Sequence, residues 1–192
     1  GDLPPPAPLG ETGYYRPDAA SHAPEAFRAW LDARPARPRV AILMSSSSVS
    51  DDDTAVPDAL IAALDAHGID GVGVWFDQRQ ARGLIEAVAP LNPDLLINTQ
   101  HIVAGGVIRD QLAQLDVPMV TTFSYRDGDA DAWRGSPSGL PSRSAAALLA
   151  PAETWGVSDP MVIAAVDDGA LVPIPEQIEA VAARAARQPA LR

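Results

Sequence analysis

Apolar positions between residues 38 and 123 follow two alternating rhythms. Four near-continuous runs, "PRVAILM" (38–44), "DGVGVWF" (70–76), "PDLLINT" (93–99) and "VPMVTTF" (117–123), have the length and side chains of buried strands. Between them, "TAVPDALIAALDAHG" (54–68), "RQARGLIEAVAPL" (79–91) and "VIRDQLAQL" (107–115) space their apolar residues three and four apart, as amphipathic helices do. Leu60, Ile61 and Leu64 are the expected buried stripe of the first of these helices. Thr54 is placed to cap it, Pro57 stands in its first turn where a missing N–H is harmless, and Gly68 closes it. Strands alternating with helices in this way predict a parallel sheet covered on both faces, an α/β fold in three layers.

Outside that block the pattern is looser. "GDLPPPAPLGETGYYRPD" (1–18) is too rich in proline to pack as an element. Residues 1–22 are expected to form an extended tail or linker, ordered only where Tyr14 and Tyr15 dock, with 23–192 as one α/β domain. "APEAFRAWLDAR" (23–34) predicts a short amphipathic helix presenting Phe27, Trp30 and Leu31. After the fourth strand comes a polar loop (124–144) that contains Trp133, a candidate to cover a ligand or partner. A small helix is expected over 144–156, two short strands around an Asp-Asp-Gly turn over 160–175, and a closing amphipathic helix over 176–187.

Right-handed crossovers in such a sheet predict the strand order 2-1-3-4, with ligands at the carboxyl ends of the strands where the chain reverses direction. Those ends read "SSSSVSDDD" (45–53), "NTQHIVAGG" (98–106) and "TTFSYRDGD" (121–129), and all three are rich in hydroxyls and amides. A polar crevice lined by Ser46, Ser47, Ser48, Asn98, Thr99, Gln100, His101 and Ser124 is expected, with Asp53 and Thr54 at its border. Neither GxGxxG nor GxxxxGK[ST] follows the first strand, which argues against an ordinary dinucleotide or nucleoside triphosphate site. No serine stands in a G-x-S-x-G elbow. Asp51, Asp52 and Asp53 suit a solvated turn ahead of a helix N-terminus better than a metal site.

Charge and composition narrow the classes further. The formal net charge is −11, with no basic stripe, so nucleic acid is a poor partner. No apolar run is long enough to span a bilayer, no secretory signal is visible and there is no cysteine; the cytoplasm is the expected compartment.

"RPRVAILMSSSSVSDDDTAVPDALIAALDAHGI", "DLLINTQ", "LAQLDVPMV", the pair Ala132 and Trp133, and "DPMVIAAVDDGALVPIPEQIEAVAARAAR" resemble, in that order, a segment of the large subunit of cobaltochelatase and magnesium chelatase. "GYYRPD" is similar to the Tyr-His-Pro segment that precedes it. The order of segments carries more of the resemblance than any one motif. It implies a flavodoxin-like or Rossmann-like domain of the subunit that binds a tetrapyrrole or corrin and receives Co²⁺ or Mg²⁺, cobalt insertion being favoured. It also implies separate ATPase subunits as partners, with ATP used by the complex and no cofactor held by this domain. Where the family commonly reads Tyr-Arg-Ser-His after the first strand, this chain has Ser45, Ser46, Ser47 and Ser48, and Arg16 stands in place of the earlier histidine. Ser47, Asp53, Thr54, Asn98 and Thr99 match. With two imidazoles absent, the chain is expected to be cavity wall or docking surface and to insert no metal alone. Two other readings are a binding module for an anionic or polyhydroxy ligand, and a structural domain with a degenerate crevice.

Overall fold

The computed structural model describes residues 9–77, 79, 82–100, 105–146 and 160–188. The expected strands appear as β2 (Arg39–Leu43), β3 (Asp70–Trp75), β4 (Leu95–Asn98) and β5 (Met119–Tyr125), joined by β1 (Gly13–Tyr15), β6 (Met161–Asp167) and β7 (Ala170–Pro173). The named helices are α1 (Pro24–Asp32), α2 (Ser46–Ser50), α3 (Ala55–Ala66), α4 (Leu84–Val88), α5 (Gly105–Leu115), α6 (Ala130–Arg134) and α7 (Pro175–Ala186), and residues 142–146 are helical too.

The four expected strands keep the expected order 2-1-3-4 among themselves, as β3-β2-β4-β5, but that is not the order of the whole sheet, which has added strands at both edges. It has seven strands, in the order β1-β3-β2-β4-β5-β6-β7. The parallel strands β3, β2, β4 and β5 form its middle, β6 continues them in parallel, and β1 and β7 close the two edges antiparallel. The flavodoxin-like or Rossmann-like assignment therefore reduces to the coarser one, a mixed α/β fold dominated by parallel pairing. The added edges escape the pattern for separate reasons. Gly13–Tyr15 is three residues long, too short for a periodic signal, and lies inside the stretch expected to be a tail. The 160–175 hairpin is present, but nothing in its sequence says which sheet it joins.

Side chains of β2 alternate between the two faces, so each face has its own core. Val40, Ile42 and Met44 meet Leu60, Ile61 and Leu64 of α3 and Ile178, Val181 and Ala182 of α7. Ala41 and Leu43 meet Phe27 and Leu31 of α1, Leu84 and Val88 of α4 and Ile108 of α5. Two helices are shorter or differently capped than expected. α4 begins only after Gly83, whose φ of 84° lies in the left-handed region, and passes at Ala89 into a 3₁₀ turn containing Pro90. Thr54 holds the N-cap position of α3 without capping it; its hydroxyl donates to Asp58 Oδ2 at 2.9 Å. The small helix expected over 144–156, with Trp155, lies largely outside the described residues.

The N-terminal segment is bound to this frame by more than two docked tyrosines. Tyr14 Oη donates to the carbonyl of Ala87 and Tyr15 Oη to Asp58 Oδ1, each at 2.7 Å. Burial raises the pKa of both phenols, and the Asp58 carboxylate adds to the shift of Tyr15. The indole of Trp75 donates to the carbonyl of Gly10 at 3.0 Å, and His22 stacks on Tyr15 with ring centroids 5.7 Å apart.

Candidate functional site

The carboxyl edge of the sheet is polar, and most of the expected lining gathers there. Parallel pairing sets Leu43 of β2 opposite Asn98 of β4 and Asn98 opposite Thr121 of β5, so the chain leaves all three strands side by side. Three neighbouring hollows open along this edge. A groove of about 650 Å³ lies between Ser45, Ser46 and Ser47 on one side and Gly10, Phe76 and Arg79 on the other. A hollow of about 140 Å³ is bordered by Thr99, Thr122, Ser124, Arg126 and Asp127. A third, of about 70 Å³, has Ser48, Asp53, Thr99, Thr122 and Ser124 in its wall. Gln100 borders both the groove and the second hollow.

The serine run is a helical turn before it is anything else. Ser45 caps α2: its Oγ accepts from the N–H of Ser47 at 3.2 Å and lies 2.7 Å from Ser47 Oγ. Ser50 Oγ donates to the carbonyl of Ser47. The turn presents Ser46 and Ser47 to the groove and Ser48 to the smallest hollow, with Ser47 the most exposed of the three. The three aspartates then form an exposed turn in which Asp52 adopts φ 56°, a conformation aspartate tolerates, and the N–H of Asp53 returns to the carbonyl of Ser48 at 2.8 Å. Among the described residues no group of three His, Cys, Asp or Glu side chains is gathered as a metal site.

Asn98 and Thr54 do not reach the hollows. Asn98 is 2% exposed, its Nδ2 donates to the carbonyl of Gln100, and its Oδ1 accepts from the Gln100 N–H, which turns the chain as it leaves β4. Thr99 and Thr122 carry the more consequential bonds. Thr99 Oγ1 donates to the carbonyl of Leu43 at 2.8 Å, and Thr122 Oγ1 to the carbonyl of Asn98 at 3.0 Å. The Leu43 carbonyl also accepts the N–H of Thr99 at 3.1 Å, and Thr122 is 1% exposed, so these bonds serve first to tie the strand ends together. His101 lies outside the described residues. Trp133, a candidate cover for a ligand, packs with Tyr125, Ala165 and Ile174 in a small third cluster.

Several wall residues go unread in the sequence. Phe76, Asp77 and Arg79 follow the carboxyl end of β3, the strand paired to β2, so the rule that locates the other three loops applies equally to this one. Leu9 to Glu11 can be found only with β1 in place. Thr122 lies within a strand, where side chains are read as packing. Arg16 is at the opposite end of the sheet, 2% exposed, and bonded to Asp65, Asp18 and the carbonyl of Gly71.

In parallel-dominated α/β folds the carboxyl edge of the sheet is where ligand sites commonly lie, and this chain has its groove at that edge. Over residues 1–192 it matches the family model described as CobN/Magnesium Chelatase, and the chain belongs to that family. It is 28% identical, over 215 residues, to a magnesium-chelatase subunit from Rhodobacter capsulatus, with 95% of this chain and 18% of that protein aligned. Its fold is similar to that of the catalytic subunit of cobaltochelatase from Mycobacterium tuberculosis, with a TM-score of 0.71, 20% sequence identity, and coverage of 97% of this chain and 16% of that one. The chain thus spans less than a fifth of the length of either relative.

Proposed function

We propose that this chain is one wall of the macrocycle-binding cavity in the large subunit of an ATP-dependent metal chelatase, and that it docks the remainder of the assembly without performing insertion itself. One observation carries this reading: in a chain of the chelatase family, the groove of about 650 Å³ lies at the carboxyl edge of the sheet, within the size range of sites that hold cofactor-sized molecules. Its mixed wall suits a flat macrocycle with polar substituents, since Leu9 and Phe76 offer apolar contact and Ser46, Ser47 and Arg79 offer hydrogen bonds.

Metal insertion requires a base to take pyrrole protons and ligands to strip water from the metal. The two positions where the family carries imidazoles supply neither here. Ser48 bears a hydroxyl, which does not titrate near neutral pH, and Arg16 is an ion-paired cation at the far edge of the sheet. The acids, bases and metal ligands of the reaction are therefore assigned to the rest of the large chain, and ATP hydrolysis to separate ATPase subunits. Cobalt insertion is the favoured reaction of the whole, with magnesium insertion the alternative.

Trp75 reports on the groove, because its indole is bonded to Gly10 in the groove wall. Titrating the chain with a free-base corrin and a free-base porphyrin should give saturable tryptophan quenching, stronger for the corrin. Stronger binding of the porphyrin would move the assignment to magnesium insertion. Binding of neither would remove the chain from the cavity wall.

A further inference from the structure

β1 stands at an edge of the sheet, where one side of a strand ordinarily lacks backbone partners. Its register sets Tyr14 opposite Val74, whose carbonyl accepts from the N–H of Met44 on the far side. The N–H and C=O of Tyr14 therefore point outward, away from β3.

One residue meets both groups. The chain leaves β1 at Tyr15, turns where the N–H of Ala19 donates to the carbonyl of Arg16 at 3.2 Å, and comes back alongside the strand. There the Tyr14 N–H donates to the carbonyl of His22 at 3.1 Å, and Nδ1 of the His22 ring lies 3.0 Å from the Tyr14 carbonyl. A carbonyl only accepts, so Nδ1 carries a proton. His22 thus supplies the two bonds that a further strand would give Tyr14, one from its backbone and one from its ring.

The same ring reaches the support of the groove. It stacks on Tyr15 with centroids 5.7 Å apart and meets Trp75 in a T-shaped contact at 6.0 Å. The indole of Trp75 in turn donates to the carbonyl of Gly10, and Leu9, Gly10 and Glu11 border the groove. These residues lead directly into a strand of only three residues, so their path depends on how firmly β1 is held.

We propose that His22 is a positioning residue for the groove: standing in for an outer strand it fixes β1, and through Trp75 it fixes the wall formed by residues 9–11. The inference rests on the reading of the groove as the macrocycle site. It asks nothing of the ring as an acid, a base or a metal ligand.

The test has three readouts on the full chain. Long-range proton–nitrogen NMR at about pH 8, above the ordinary imidazole range, should show His22 protonated at Nδ1, the minor tautomer of free neutral histidine. Hydrogen exchange at the Tyr14 amide should be roughly fivefold faster in His22→Ala, the worth of one hydrogen bond, and slow again in His22→Asn, whose side-chain amide can place an N–H where Nδ1 stands. Both variants keep the backbone carbonyl, so the difference reports the ring's own bond. Free-base corrin and porphyrin, each followed by its own visible absorption, should bind His22→Ala roughly fivefold more weakly than the parent, with part of the loss recovered in His22→Asn. A ring protonated only at Nε2, or Tyr14 exchange unchanged in His22→Ala, would overturn the stand-in for a strand. Macrocycle binding equal in parent and His22→Ala, or no better in His22→Asn than in His22→Ala, would overturn the positioning role. If the parent binds neither macrocycle, the cavity-wall reading fails and the positioning role falls with it, while the tautomer and the exchange still decide whether His22 holds β1.

Discussion

The guanidinium of Arg16 makes four hydrogen bonds, to Asp18, to both oxygens of Asp65 and to the carbonyl of Gly71, at distances between 2.7 and 3.2 Å. It thereby ties the end of β1 to α3 and β3. A buried cation so thoroughly paired is structural, and its removal leaves a backbone carbonyl and two half-exposed carboxylates without it. Arg16→Leu is expected to cost about 2–4 kcal/mol in urea unfolding, toward the lower end for a buried pair because water can reach Asp18 and Asp65. Asp18 allows a check on the same network through pH. Burial alone would raise its pKa, but the hydrogen bond and charge of Arg16, with help from Arg34, outweigh burial and hold the carboxyl below its ordinary range. A folded pKa below the unfolded one contributes stability that is complete above about pH 4 and is lost as the pH falls through the folded value. Asp18→Asn should therefore flatten the acid limb of stability measured between about pH 6 and about pH 3. Equal slopes in variant and parent would show that the pair contributes nothing. At this scale the sequence is a partial guide: the identities at positions 16 and 48 are visible and the strand-end rule puts Ser48 at the crevice, but the place of Arg16 depends on β1, which leaves no pattern to read.

Elements with a strong period are legible, and those defined by pairing are not. The four central strands, α3, α5 and the closing α7 follow from spacing alone, because each buries one stripe or one run. β1 is held instead by a close approach. Gly13 lies opposite Trp75 in the β1–β3 register, and a Cβ at that position would collide with the indole ring. Gly13→Ala should destabilise the fold by about 1–3 kcal/mol, the usual cost of overpacking, and alter tryptophan emission as the Trp75–Gly10 bond is disturbed. Unchanged emission and stability would mean that β1 is not packed on the indole. The crevice is legible to a similar degree. The topological rule locates the loops after β2, β4 and β5, but it cannot distinguish a threonine that donates to a ligand from one whose proton is committed to a neighbouring strand.

At the scale of the whole molecule, the two ends of the sheet have divided roles. The amino edge carries the ion pairs of the buried Arg16 and the partly exposed Arg34 with Asp18, Asp65 and Asp70, which hold the frame. The carboxyl edge carries the hollows and the exposed carboxylates of Asp51, Asp52, Asp53 and Asp127. That division fits a chain spanning less than a fifth of its relatives' length, contributing one face to a larger cavity. Among the described residues no helix is long and apolar enough to cross a membrane. Whether the carboxyl edge is the ligand face is decided by hydrogen–deuterium exchange of the chain with and without the macrocycle that quenches its tryptophans. Protection is expected only at that edge, over residues 9–11, 45–50, 76–77 and 98–100. Protection at the amino edge around Arg16 and Asp70, with the carboxyl edge unchanged, would refute the assignment.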